Sequence, residues 1–312
     1  MFIIVSLSVQ VAFDGDDDQY IITAMSPFYM SLPLCGIFIT FDWEGDNMAK
    51  RQANDRLQTV ERSFDIIHLL IDNGPMPLSE IADELDIAES TTHRHLSTLH
   101  DLRYISRDGQ KYQLGLRFAR LGTAARTCNP DYLEVKPYVY QLAKKTDERA
   151  HFIAEDHGLG VYLYQATVAN AVKVGADIGR QVRLHCSAAG KVILSHYSRE
   201  RVHKILDRWR LPQNTEHTIT NRDVLFKELD ATQKRGFAFN REEAVEGVHV
   251  VAVPVKPEGS LIGALCIAGP SHRLTGTWFE QDLPDLLLST SNELELNIEY
   301  DESNQPTDHL VE

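Results

Sequence analysis

The chain has 312 residues, enough for two domains that each bury a core of their own. Apolar residues make up 43% and charged residues 24%, a balance that excludes an intrinsically disordered chain. With 31 Lys and Arg against 45 Asp and Glu, the net charge of −14 excludes a broadly basic, nucleic-acid-coating surface.

Residues 1–47 carry seven acids (Asp14, Asp16, Asp17, Asp18, Asp42, Glu44, Asp46) and no Lys or Arg. The uncharged stretch 20–41 approaches the length of a membrane span. Pro27 and Pro33 interrupt it and no basic residue precedes it, so neither a signal peptide nor a membrane anchor is expected. Translation is expected to start at Met48, with 1–47 as upstream sequence or a disordered extension. From Met48 onward the net charge falls to −7, and Arg outnumbers Lys by 20 to 11. Such acid-rich, Lys-poor composition is halophile-like. In a salty cytoplasm phosphate attraction is screened and direct contacts count for more.

A winged helix-turn-helix is expected over 48–114. Residues 57–73 place Val60, Phe64, Ile67, Leu70 and Ile71 at helical spacing, and Asn73-Gly74-Pro75 closes that helix. Pro77 opens the next helix, with Leu78, Ile81, Ala82 and Leu85 facing in. Asp86-Ile87-Ala88 has the length of a helix-turn-helix connection. In the following helix Thr92, Leu96 and Leu99 point inward, with Leu102 at the margin. Ser90, Arg94 and Ser97 lie opposite, flanked by Thr91 and Thr98 on one side and His93 on the other. Short hydroxyls permit close approach to a major groove, and an Arg can bind guanine bidentately. The same face also reads as an ordinary solvated one. Segments 104–107 and 111–114 around Asp108-Gly109-Gln110 form a hairpin wing, where Arg107 and Lys111 are placed to touch phosphate.

Residues 115–130 are expected to hold a linker helix, and 131–301 a second domain. Its predicted elements are a helix over 132–146, kinked or restarted at Pro137 and carrying Leu133, Val135, Tyr138, Val139 and Leu142, then strands over 151–155, 160–166 and 172–176. Helices over 187–197, 199–209 and 221–235 follow, then strands over 237–240, 248–255 and 261–268 and a helix over 280–299. Helices packed on an antiparallel sheet give an α+β layer. The polar tail 302–312 is expected to be disordered.

Catalysis finds little support: there is no P-loop, dinucleotide fingerprint, G-x-S-x-G or H-E-x-x-H. His93 and His95 flank Arg94 on diverging helix positions, a poor metal site. Consecutive strand side chains diverge too, which weakens a His185–Cys186 thiol nucleophile. No catalytic residue, metal or cofactor is expected. Cys35, Cys128, Cys186 and Cys266 form no C-x-x-C pair and suit a reducing cytoplasm. Cys186-Ser187-Ala188 precedes a helix whose amides and dipole favour an anion such as a carboxylate, and Ser187 also reads as a simple cap. Lys191 is expected at the solvated surface, and Glu242-Glu243 as a structural pair before the next strand.

Read together, these motifs resemble the IclR family of transcriptional regulators over about 57–300. The resemblance rests on Ser90-Thr91 with Arg94 and Leu96, Tyr112-Gln113-Leu114-Gly115, and His185 with Ala188-Ala189-Gly190-Lys191. Arg235-Gly236-Phe237, Glu242-Glu243, Gly247-Val248, Ala252 with Pro254-Val255, and Gly269-Pro270 continue it in order. It implies an N-terminal winged helix, a C-terminal GAF-like ligand domain, and a homodimer or homotetramer on double-stranded promoter DNA whose binding a small metabolite alters. It also implies an effector pocket between residues 185–190 and the strands at 248–253 and 265–268, touching His185, Cys186, Ser187, Ala188, Gly190, Val250, Ala252, Cys266 and Ala268. An organic acid or sugar derivative is the expected effector, and the cytoplasm the expected location. Glu89, Val250 and Asn240 depart from the family pattern of a basic residue, Cys and Asp. The alternatives are a metabolite-sensing protein-interaction module and a small-molecule hydrolase.

Overall fold

The computed structural model describes residues 57–167 and 178–303, which divide between Arg117 and Phe118 into two units. The 20–41 stretch, Met48, Cys35, the strand expected over 172–176 and residues 304–312 lie outside the described residues.

Helix α1 (Gln58–Asn73) ends where Gly74 adopts φ +75° and Pro75 cannot continue the helix. A two-residue strand β1 (Met76–Pro77), helix α2 (Leu78–Glu84) and helix α3 (Glu89–Asp101) follow. Ile66, Ile67 and Leu70 of α1, Ile81 and Ala82 of α2, and Leu96 and Leu99 of α3 are buried, with α3 packing against both other helices. Thr92 joins them because its Oγ1 donates to the Ala88 carbonyl at 3.2 Å, so no hydroxyl goes unbonded in apolar surroundings. The stripe expected for α1 is rotated. Val60, Phe64 and Ile71 are about half exposed, and the buried edge runs through Ile66 and Ile67. Strands β2 (Ile105–Asp108) and β3 (Lys111–Leu114) form the wing, with β1 pairing against β3 to make a three-stranded sheet. The hairpin was legible in the sequence; the third strand, only two residues long, was not.

Helix α4 (Arg117–Arg126) contains no buried residue, and Leu116 just before it is 91% exposed. Helix α5 (Asp131–Thr146) runs unbroken through Pro137, so no restart occurs. Pro137 leaves the Leu133 carbonyl without its helical partner, but both residues sit on the exposed side where water can replace the bond. Leu133 therefore faces outward, while Val135, Val139, Leu142 and Ala143 are buried.

Strands β4 (Arg149–Asp156), β5 (Leu159–Ala166) and β6 (Gln181–Arg183) open the large sheet. Helices α6 (Ala188–Ser195), α7 (Arg199–Trp209) and α8 (Arg222–Arg235) come next, with Ser187, Ser198 and Asn221 as side-chain caps. Strands β7 (Ala238–Arg241), β8 (Val248–Val255) and β9 (Gly263–Pro270) complete the sheet. A π-helical turn at Trp278–Asp282 then leads into α9 (Leu283–Ser303). The six strands run antiparallel in the order β6-β5-β4-β9-β8-β7. Strand alternation gives the sheet two inner faces. Phe152, Leu265, Ile267, Val251 and Val253 pack with α5 and α9, while Ile153, Ala264, Cys266, Ala252 and Ala238 pack with α6, α7 and α8. Every residue of α6 is buried. Such burial demands that α6 lie close to its neighbours, and a Cβ on Gly190 would come within 2.1 Å of the Leu184 carbonyl oxygen.

Candidate functional site

In the first unit, α3 holds Ser90, His93, Arg94, Ser97 and Thr98 on its exposed side, with Thr91 half-buried. Behind them Thr92, Leu96 and Leu99 are buried and hold the helix to the core. Arg94 stands between Thr91 and Thr98 over a groove shared with α1, where Gln58, Thr59 and Arg62 are its neighbours. Nothing local in the sequence marks these α1 residues, because polar positions on an amphipathic helix look alike whether they face solvent or a partner. The Thr98 hydroxyl donates to the Arg94 carbonyl at 2.9 Å, leaving its oxygen free to accept. His95 joins Ser63 of α1 at 2.9 Å. At the wing, Arg107 donates to the Gly109 carbonyl at 2.9 Å and to Gln110 Oε1 at 2.8 Å, and its guanidinium lies 5.6 Å from the Tyr112 ring centroid. It braces its own turn while remaining exposed, and Lys111 beside it is exposed too.

In the second unit a cavity of about 230 Å³ lies between the α6 side of the sheet and the start of α6. Its floor includes one continuous row across four strands. Arg149 pairs with Ala268, Ala268 with Val250, and Val250 with Asn240. At about 4.8 Å per strand the row spans roughly 14 Å, polar at both ends and apolar in the middle. His151, Ile153 and Tyr162 close one end, Ser187, Ala188 and Ala189 supply the roof, and Ala244, Val245 and Val248 the far wall. Arg180 and Arg183 reach the cavity from the β6 side. Among the described lining residues there is no Asp or Glu.

Of the effector residues expected from sequence, Ser187, Ala188, Val250 and Ala268 line this cavity. His185, Cys186, Gly190, Ala252 and Cys266 do not, for packing reasons. Ala252 and Cys266 form the next row of the sheet, directly under α6. Gly190 is pressed on the Leu184 backbone. The His185 ring meets the Pro212 carbonyl at 3.0 Å; burial lowers its pKa, so the neutral ring donates from Nε2. Burial pushes the Cys186 thiol up to about 11, so it is no nucleophile at neutral pH. Ser187 Oγ accepts from the Gly190 amide at 3.0 Å, the capping role foreseen for it.

Lys191 corrects the sequence reading outright: it is 2% exposed and pairs with Glu243, which is also buried. Burial raises the Glu243 carboxyl and the Lys191 ammonium opposes that rise. Asn240 ties this corner together. Its Nδ2 donates to the Cys186 carbonyl at 2.8 Å and its Oδ1 accepts from the Glu243 amide at 2.9 Å. Arg149, His151, Tyr162, Arg183 and Asn214 are cavity residues not expected from the sequence, whereas Asn240 had been marked there only as a departure from the family pattern. The alternation of polar Arg149 and His151 with apolar Ala150 and Phe152 was the available signal for the first two.

Residues 132–295 match the model of the bacterial transcriptional regulator IclR C-terminal domain, and residues 59–109 match that of the IclR helix-turn-helix domain. The chain belongs to the IclR family. It is 30% identical over 225 residues to the Escherichia coli HTH-type transcriptional regulator KdgR, covering 71% of this chain and 85% of that protein. To a probable HTH-type transcriptional regulator ArcR of Halobacterium salinarum it is 26% identical over 249 residues, covering 78% and 95%. An IclR homologue from Microbacterium hydrocarbonoxydans, solved with 4-hydroxybenzoate, shares the fold at TM-score 0.68 and 19% identity, over 76% of this chain and 98% of that one. As an IclR-family member the chain is a DNA-binding transcriptional regulator with a helix-turn-helix domain and an effector-binding C-terminal domain, rather than an enzyme. The winged helix followed by an α+β domain is the architecture of that family.

Among the described residues no helix is long and apolar enough to cross a membrane. Cys128, Cys186 and Cys266 are free thiols.

Proposed function

We propose that the chain reads promoter DNA through α3 and anchors on phosphate through the wing, while a metabolite in the sheet–α6 cavity alters that binding. The winged-helix domain spans 48–114, the linker 115–130 and the effector domain 131–301. Ser90, Thr91, His93, Arg94, Ser97 and Thr98 face the major groove, and Arg107 and Lys111 face the backbone. The observation that carries this reading is the outer face of α3, where a single exposed guanidinium stands among short hydroxyls on a helix locked from behind. The protein acts in the cytoplasm as a homodimer or homotetramer. Paired half-sites need paired recognition helices, and the exposed Leu57, Val60, Phe64 and Ile71 of the α1 stretch offer an apolar surface for a second copy.

Footprinting of the parent and of Arg94→Ala on the promoter region of its own gene tests the reading. The variant is expected to lose about 1–3 kcal/mol of specific binding and to relax selectivity at one base pair. Equal affinity and equal selectivity would remove Arg94 from the readout.

A further inference from the structure

The groove between α1 and α3 has the composition of a seat for a backbone phosphate. Thr59, Arg62 and Ser63 of α1 face Thr91, Arg94 and Thr98 of α3 across about 430 Å³. In a chain with 45 acids against 31 bases, its described lining holds two arginines and no carboxylate. The two walls are tied together. Ser63 Oγ gives its one proton to the Thr59 carbonyl at 3.0 Å, so the 2.9 Å contact with His95 is donated by the ring Nδ1–H. Thr98 turns its hydroxyl onto the Arg94 carbonyl, whereas among the described residues those of Thr59 and Thr91 make no hydrogen bond within the protein. Arg62 is 35% exposed, and its ion pair with Asp65 on the same helix is long at 3.6 Å, a contact of little worth at a surface. Position points the same way. A major groove is about 12 Å wide and a helix with its side chains about 10–12 Å across, so a helix lying in it has a phosphate strand along each flank. Helix α1 packs along one flank of α3, where such a strand would run.

We propose that Arg62 of α1 clamps a phosphate of the duplex backbone in this groove, with the Thr59 and Thr91 hydroxyls as further donors, while Arg94 on the opposite wall continues outward to a base. This rests on α3 being the reading helix. An arginine fork matches two phosphate oxygens, and the hydroxyls add donors that every sequence meets equally. The clamp sets how α3 sits in the groove and carries no sequence information of its own. Arg62 and Arg94 thus divide the work across one groove, the first holding the backbone and the second discriminating.

Fluorescence-anisotropy titrations of the full-length protein, at several salt concentrations, test the clamp on a duplex from the promoter region of its own gene and on an unrelated duplex of equal length. Arg62→Gln is expected to weaken both by about tenfold, the worth of a hydrogen bond to a charged group, and to leave their ratio unchanged. The logarithmic salt slope is expected to fall by about one, as for the loss of one phosphate contact. Arg62→Lys, which keeps the charge, is expected to keep the slope. Asp65→Asn, which releases Arg62 from its neighbour, is expected to bind at least as tightly as the parent. Circular dichroism melts establish that each variant is folded. The proposal is overturned if folded Arg62→Gln keeps the parental slope, if it changes the ratio of the two duplexes, or if Arg62→Lys loses as much as Arg62→Gln. It is overturned as well if Asp65→Asn weakens binding as Arg62→Gln does, since the pair would then serve only the helix. Arg94→Ala separates the two readings. Selectivity lost in Arg94→Ala with Arg62→Gln unaltered keeps α3 as the reading helix and removes the clamp. A parent that binds neither duplex removes both.

Discussion

The two units distribute charge in opposite ways. The winged helix, which must approach a polyanion, carries more acids than bases between Leu57 and Arg117, and its recognition face offers one exposed Arg. The effector unit, which receives only a small molecule, lines its cavity with three arginines and no described acid. Long-range attraction is therefore a poor account of DNA binding here. Shape, hydroxyls and a few direct contacts are the alternative source, whereas in the effector unit only Arg149 of the three cavity arginines is buried.

The largest effect is expected from the ion pair beside the cavity. Lys191→Met strands the Glu243 carboxylate in a buried site and is expected to cost about 3–5 kcal/mol of stability in urea unfolding. The double variant Lys191→Met with Glu243→Leu should recover much of that loss, because two desolvated charges are then removed together. No recovery would mean that the pair organises the 242–247 loop through bonds other than the charge contact.

A comparable effect, spread over several pH units, separates the units by pH. Burial, with Arg149 adding to it, drives the His151 pKa from 6.5 down to about 3. Protonation then favours the unfolded chain. The stabilising contribution is complete above about pH 6.5 and is lost as the pH falls toward 3, at a slope of about 1.4 kcal/mol per pH unit. His151→Gln is expected to flatten that slope in the transition of the effector unit by about this amount, and to leave the winged-helix transition unchanged. Equal flattening in both transitions would erase the contrast.

The smallest effect concerns salt. If few phosphates are contacted, operator affinity should fall with a shallow logarithmic slope, and Lys111→Ala should reduce that slope by about one. A steep slope that Lys111→Ala does not change would mean that basic groups elsewhere dominate.

Legibility in the sequence followed the range of the interactions. Helix α7 and strand β8 match their expected limits, because Ser198 and the alternation of β8 are local signals. The inward set Thr92, Leu96 and Leu99 was legible for the same reason. Strand β6 was not, since three residues carry no periodicity. Lys191 misled because its partner Glu243 lies 52 residues away, and nothing next to a lysine announces a distant carboxylate. The family pattern located the neighbourhood of the cavity but missed Arg149 and His151, which β4 supplies in two adjacent rows of the sheet.

Gly190 has a consequence for what the cavity can admit. With no clearance between α6 and the Leu184 backbone, the roof has no room to retreat on that side when a bulkier guest arrives. Selectivity by girth would then be inherited from helix spacing rather than from any side chain that touches the guest. A methyl in place of that one hydrogen would force α6 and the Leu184 backbone apart, so the placement of the helix over the cavity depends on a position outside the cavity wall.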